Sequence, residues 1–281
     1  MVVRSSGTSE PRPIGVFDSG VGGLTVARAI LELLPHEPLI YVGDTARFPY
    51  GPKPLEEIRR YALEIAESLV VRDVKMLVVA CNSVEVAAID HVAEAHGVPV
   101  VGVIDPGTRA AVHATRNGRI GLIGTEATVK SGAYDRALTA TGTDATLFSR
   151  ACPAFVEYVE RGDTSSEELR TVAEGYLSPL REQGIDTLIL GCTHYPLLSG
   201  LIQLVMGDDV VLISSAAETA KDVYRALVRS GIERGDPHPR HEFLATGDPA
   251  RFQAVAEVFL GPEIAEVRAA HLEPVGGGPW S

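Results

Sequence analysis

Two cysteines offer the chemistry that this sequence can be read for. Cys81 follows the apolar run Leu77-Val78-Val79-Ala80 and leads into Asn82-Ser83. Cys192 follows Leu188-Ile189-Leu190-Gly191 and leads into Thr193-His194-Tyr195-Pro196. Each short apolar run predicts a buried strand. Gly191 reads as a tight turn out of the sheet. A helix is predicted to begin after each thiol, near Pro196 in the second case, because proline is tolerated in a first turn. In open α/β sheets that strand edge is where ligands bind. An isolated free cysteine is commonly just a small buried hydrophobe. Here the same setting occurs twice, with polar neighbours each time, and a helix N-terminus lowers a thiol pKa from about 8.5. The pair therefore reads as acid–base thiols. Cys152, before Pro153, lacks polar neighbours and reads as structural.

Other groups stand at equivalent places. Asp18-Ser19 ends the first predicted strand inside a glycine turn that runs to Gly23. Such residues cap helices well, or they supply an acid and an anchor in a cleft. Asp44-Thr45 occupies the same position on the second strand, in a loop that closes with Tyr50-Gly51. His194, two residues after Cys192, suits a general acid/base or a hydrogen-bond partner for the thiol. A zinc site needs three or four ligands, and no dense His/Cys cluster lies nearby in the sequence, so no metal is expected. Gly20-x-Gly22 matches only part of a dinucleotide fingerprint, since Thr25 replaces the third glycine.

Strands and helices must alternate to position these groups, which predicts an α/β fold with mainly parallel strands. Strands are predicted at 14–17, 39–42, 76–79 and 98–103, the last ending at Asp105-Pro106-Gly107. Helices are predicted at 24–34, 55–71 and from Cys81 to about His96. A second series follows, with strands at 120–123, 146–148, 187–190 and 210–213. Its helices fall at 128–139, 153–159, 167–180 and 216–228. A last strand at 241–245 and a last helix at 251–259 close the chain. Both series open with a strand, a turn of small or hydroxyl residues and a helix, and both later present a strand–Cys–helix unit. The expectation is two similar, pseudo-symmetric α/β domains with the active site in the cleft between them. Their predicted limits are 14–105 with 216–270, and 106–215. Residues 1–13 and 271–281 are expected to be flexible tails, the first without the apolar core of a signal peptide.

The 281 residues suffice for two small cores. A formal net charge of -12 argues against nucleic acid or an anionic membrane surface as main partner. No apolar run approaches the roughly 20 residues of a membrane helix. Three cysteines fit free thiols in a reducing cytosol.

Taken together, Asp18-Ser19-Gly20-Val21-Gly22-Gly23-Leu24, the loop Gly43 to Gly51, Ala80-Cys81-Asn82-Ser83, Gly124-Thr125 and Gly191 to Pro196 resemble the glutamate racemase family. Asp105-Pro106-Gly107, Ser131-Gly132-Ala133-Tyr134 and Cys152-Pro153 fit the same pattern, and the order holds from about Ile14 to Ala226. The resemblance implies interconversion of L- and D-glutamate without pyridoxal phosphate or metal, in a cytoplasmic homodimer that supplies bacterial peptidoglycan synthesis. It implies that Cys81 and Cys192 are the two bases, assisted by Asp18 and His194. Ser19, Asn82, Ser83, Thr125 and Thr193 would hold the substrate, and Asp44, Thr45, Tyr50 and Gly51 would line the site. The family's glutamate near the second cysteine maps onto Glu160. Glu157 stands where the pattern usually has proline, which leaves open which of the two faces the cleft. Glu85 also departs from the pattern, and reads as a partner for the dipole of its own helix. The alternatives are racemisation of another amino acid such as aspartate, a non-catalytic binding module on the same scaffold, and, more distantly, a nucleotide-binding oxidoreductase.

Overall fold

The apolar runs that precede each candidate site are inner strands of two all-parallel sheets, and these inner strands are buried on both faces. The computed structural model describes residues 11–233, 238–261, 264 and 266–272. Of the two expected tails, only 11–13 and 271–272 fall within the described residues. The first sheet contains β1 (Ile14–Asp18), β2 (Leu39–Gly43), β3 (Met76–Val79), β4 (Val100–Val101), β9 (His241–Ala245) and β10 (Val267–Ala269), in the order β10-β9-β2-β1-β3-β4. The second contains β5 (Arg119–Gly124), β6 (Thr146–Ala151), β7 (Thr187–Gly191) and β8 (Val211–Ser214), in the order β6-β5-β7-β8. The run β2-β1-β3-β4 in one sheet thus matches β6-β5-β7-β8 in the other.

Each sheet reverses its strand order once, between β1 and β3 and between β5 and β7. Ligand crevices in open α/β sheets form outside the carboxyl ends of strands at such reversals. Register brings the candidate residues there. Phe17 pairs with Val79, so Asp18 and Ala80-Cys81 leave the sheet side by side. Gly124 pairs with Gly191, so Thr125 and Cys192 do the same in the second sheet.

The helices are α1 (Leu24–Leu33), α2 (Leu55–Val71), α3 (Asn82–Ala95), α4 (Ile104–Ala114), α5 (Glu126–Lys130), α6 (Ala133–Ala140), α7 (Ala154–Glu160), α8 (Glu167–Glu182), α9 (Ser199–Met206), α10 (Ser215–Ser230) and α11 (Pro249–Leu260). None is long and apolar enough to cross a membrane, among the described residues.

Four local expectations are corrected. The strand predicted at 98–103 shrinks to β4, and Asp105-Pro106-Gly107 is the first turn of α4 rather than a turn after a strand. The first N–H groups of a helix have no internal partner, so a proline there loses nothing. Gly107 serves close packing instead, since a Cβ there would lie 3.1 Å from Ser215 Cβ. The helix predicted at 128–139 breaks into α5 and α6 at Gly132, whose φ of 64° is left-handed. The chain after Cys192 enters a 3-10 turn, Tyr195–Leu198, before α9, so only Cys81 is itself the N-cap of an α-helix. Gly191 lies within β7 and makes no turn. A Cβ there would stand 2.8 Å from the Ile123 carbonyl oxygen and 2.7 Å from Leu122 Cδ1, so only glycine fits. β10 was not expected at all.

Candidate active site

The two sheet edges share a cavity of about 420 Å3, within the range of about 300–1,000 Å3 usual for small-molecule sites. Cys81 and Cys192 both line it, and both are buried. No Lys or Arg lines it among the described residues.

On the first side, Cys81 Sγ lies 3.5 Å from Ser19 Oγ and donates to it. Asp18 is fully buried beneath, behind the lining. Its Oδ2 accepts from the N–H of Gly20 at 3.1 Å and of Gly23 at 3.0 Å, which caps the entry to α1. Oδ1 is buried and accepts no hydrogen bond among the described residues. Asp18 thus caps with one oxygen, as the sequence allowed, and its other oxygen stays uncommitted. Burial, and next the Asp18 charge, push the Cys81 thiol well above its ordinary pKa. Near neutral pH this sulfur carries its proton.

The second side is arranged differently. Cys192 Sγ lies 3.8 Å from His194 Nδ1, and His194 Nε2 meets Glu160 Oε1 at 2.7 Å. Burial opposes a charge on this imidazole. The hydrogen bonds to Cys192 and Glu160 and their negative charge outweigh it, and the pKa is pushed up to about 10. The ring is an imidazolium at neutral pH, so both nitrogens donate. Phe48 stacks obliquely on it at 5.8 Å between centroids, and Phe259 of α11 meets it edge-on at 5.9 Å. Tyr195 fixes the strand ends below, donating to the carbonyls of Cys152 at 2.8 Å and Gly124 at 3.1 Å. Cys152 itself is fully buried in the core.

Asn82, Ser83, Thr125 and Thr193 line the cavity, as do Ser19, Tyr50 and Gly51. Ser83 Oγ and Thr125 Oγ1 are 2.9 Å apart and join the two sides. Thr125 also caps α5 through Thr128 N–H at 3.2 Å. Tyr134 O–H donates to Asn82 Oδ1 at 2.7 Å, while Asn82 Nδ2 is buried without a partner among the described residues.

Asp44 and Thr45 do not reach the cavity, contrary to the expectation that they line it. Asp44 is fully buried behind the wall, where Tyr50 O–H and Arg47 Nε donate to Oδ2, the latter at 2.6 Å, and Thr246 Oγ1 donates to Oδ1 at 2.6 Å. Thr45 Oγ1 accepts from Gly247 N–H at 3.1 Å. These contacts tie the 43–51 loop to the chain after β9 and fix Tyr50 from behind. Glu160 and Glu157 both line the cavity, but only Glu160 touches His194, and Glu157 is exposed. Glu85 caps α4 rather than meeting its own helix, accepting from the N–H of Val103 at 2.5 Å and of Ile104 at 3.0 Å.

Sequence reasoning missed Phe48, Pro49, Pro52, Glu126, Pro153 and Val156 as lining residues. The apolar Phe48-Pro49 pair inside an otherwise polar loop was the available signal. Phe259 left none, because its contact with His194 depends on α11 returning to the cleft.

Two like sheets, each setting a thiol at its switch-point edge on one shared cavity, define an α/β protein of the racemase class. The chain belongs to the Asp/Glu/hydantoin racemase family, whose model matches residues 14–235. It is 59% identical over 261 residues to the glutamate racemase of Parafrankia sp., covering 92% of this chain and 94% of that protein. A glutamate racemase from Bacillus anthracis superposes with a TM-score of 0.89 at 42% identity, covering 94% of this chain and 98% of that one. The Francisella tularensis glutamate racemase, solved in complex with D-glutamate, gives 0.87 at 34% identity, covering 95% of this chain and all of that one.

Proposed function

We propose that this chain is a glutamate racemase that moves the α-proton between two thiols. The observation that carries the reading is the pair Cys81 and Cys192, lining one cavity from the matching edges of two sheets. The glutamate racemases to which the chain is similar support the choice of substrate.

Racemisation removes hydrogen from one face of Cα and returns hydrogen to the other. One cysteine, as thiolate, takes the α-proton and becomes a thiol. The pair of C–H electrons stays on carbon. The opposite thiol then gives its proton to the other face and becomes the thiolate. The two sulfurs have exchanged states, and proton exchange with solvent resets them. The free protein sets out with Cys81 as the donor thiol, given its raised pKa. Cys192 is then the acceptor, with the His194 imidazolium donating to its sulfur.

With no Lys or Arg in the lining among the described residues, and both His194 nitrogens engaged by Cys192 and Glu160, neutral donors must hold the carboxylates. Asn82, Ser83, Thr125 and Thr193 supply them, with Ser19 and the N-terminus of α3 beside Cys81. Donors fixed around the carbanion in a site that excludes water are the available stabilisation. Tyr50 and Gly51 complete the wall, Asp44 acts through Tyr50, and Thr45 holds the loop through Gly247. Asp18 would assist Cys81, and Glu160 would hold His194.

The same reading takes 14–105 with 216–270 as one domain and 106–215 as the other. It is supported by sheet membership, since every strand of each sheet falls inside one unit. It also carries a cytoplasmic homodimer supplying D-glutamate for bacterial peptidoglycan. A panel of L-amino acids without cofactor, read by chiral assay, tests the substrate. Turnover of glutamate is expected, and turnover of aspartate alone would sink this assignment.

A further inference from the structure

Ser131-Gly132-Ala133-Tyr134 has no part in the reaction described above, yet its tyrosine touches the chain neighbours of both thiols. Tyr134 is almost fully buried, on α6, and comes from the segment of chain that forms the second sheet. Its ring lies against Gly191, the residue before Cys192, where an added Cβ would sit 3.4 Å from Tyr134 Cε2. Its hydroxyl meets Asn82, the residue after Cys81, at 2.7 Å. One side chain therefore spans from the strand end that carries one thiol to the helix start that carries the other.

We propose that Tyr134 is a positioning residue that fixes the amide of Asn82 with its N–H2 group toward the substrate. The proposal rests on the racemase reading and deepens it. A buried phenol must place its proton on an acceptor, and the acceptor within reach is Asn82 Oδ1. Burial raises the Tyr134 pKa well above its ordinary value, so the phenol keeps its proton at every working pH. The opposite amide orientation would set N–H2 against O–H and leave no acceptor for the phenol. Oδ1 is thus committed to Tyr134. Nδ2 is buried and without a partner among the described residues, in a residue that lines the cavity, so it is the group of this amide still free to donate to a ligand. An amide donor held in advance for a carboxylate loses no orientation on binding. In a cavity with no Lys or Arg among the described residues, such a neutral donor carries more of the recognition. Without the lock, the amide turns, and an oxygen faces an anion for part of the time.

The test compares Tyr134→Phe, Asn82→Ala and the double variant. Calorimetric binding of D-glutamate is read beside KM and kcat. Tyr134→Phe removes one hydroxyl and keeps the ring against Gly191, so the fold has its best chance of surviving. Glutamate binding is expected to weaken about tenfold, the scale of one lost oriented hydrogen bond. KM should rise in parallel while kcat stays within about threefold, because the amide faces a carboxylate already charged in the ground state. Asn82→Ala should cost at least as much, and the double variant no more than Asn82→Ala alone. Unchanged binding by Tyr134→Phe in a protein that racemises, or losses that add in the double variant, would overturn the positioning role alone. An unsubstituted protein that neither binds nor racemises glutamate would overturn the racemase reading and this proposal with it.

Discussion

His194 Nε2 meets Glu160 Oε1 at 2.7 Å, and this bond, together with the one to Cys192, holds the buried ring as a cation against the pull of burial. The two thiols therefore work in opposite fields. Cys81 is pushed up by burial and then by the Asp18 charge, while Cys192 faces an imidazolium. A two-thiol racemase needs one sulfur with a proton and one without, and the proposed mechanism draws that difference from these unlike surroundings.

Glu160→Gln should move the alkaline limb of the pH–rate profile. His194 titrates near pH 10 with the carboxylate in place. Removing the anion lowers that value, so activity should fall off at a lower pH than in the unsubstituted protein. The same linkage touches stability. The folded pKa of His194 lies above the ordinary value of 6.5. Its stabilisation is complete below that ordinary value and is lost as pH rises toward 10. Rates measured across pH 6–11 decide it, and an alkaline limb left in place would remove Glu160 from this role.

Cys81→Ser and Cys192→Ser should each lower racemisation by about 10²- to 10⁴-fold, the usual scale for losing a positioned acid or base. Serine is far less acidic than cysteine, so the face served by the replaced thiol is lost, and racemisation needs both. Circular dichroism should show the fold retained, as the change is nearly isosteric. A near-normal rate in either variant would contradict the two-thiol mechanism.

Gly22→Ala should damage catalysis more than folding. A Cβ at that position would lie 2.3 Å from Thr193 Oγ1 and 2.7 Å from His194 Nδ1. The glycine turn that holds Asp18 thus also abuts the Cys192 side, and the methyl group must push the two apart. A displacement near 1 Å at reacting groups costs about 10²-fold. We expect kcat/KM to fall by about that factor with a change in Tm of only a few degrees. A variant with unaltered kcat/KM would mean that the cleft does not close to this distance during turnover.

Glu85 gives a stability signature of unusual sign for a carboxylate. Burial raises its pKa from 4.5 to about 8, against the pull of the two backbone N–H groups it caps. The folded protein therefore keeps the proton between about pH 4.5 and 8, where the unfolded chain has lost it. Its contribution is complete below the unfolded pKa and is lost as pH rises through the folded value. Urea unfolding at pH 5 and pH 8 should show stability declining, and Glu85→Gln should flatten that decline. An identical slope in the variant would remove Glu85 as its source.

The parallel strands were readable because they are buried on both faces, so Leu77 to Ala80 and Leu188 to Gly191 appear as unbroken apolar runs with a thiol at the end. The start of α4 was not readable, because Pro106 and Gly107 signal a turn unless the helix and its packing partner Ser215 are known. Asp44 looked like a lining residue because its partner Thr246 lies 202 residues further on. Tyr134 stands 52 residues from Asn82 and left no local sign of its contact. Glu85 was read against its own helix, while the fold brings it the free N–H groups of another. In each case the sequence exposed the local chemistry, and chain topology chose the partner.

The most direct test is the proton NMR spectrum of L-glutamate with this protein in D2O, without added cofactor. The account predicts loss of the α-proton signal together with appearance of D-glutamate in a chiral assay, since the α-proton passes to a thiol that exchanges with solvent. A folded protein that leaves the α-proton signal intact would contradict it.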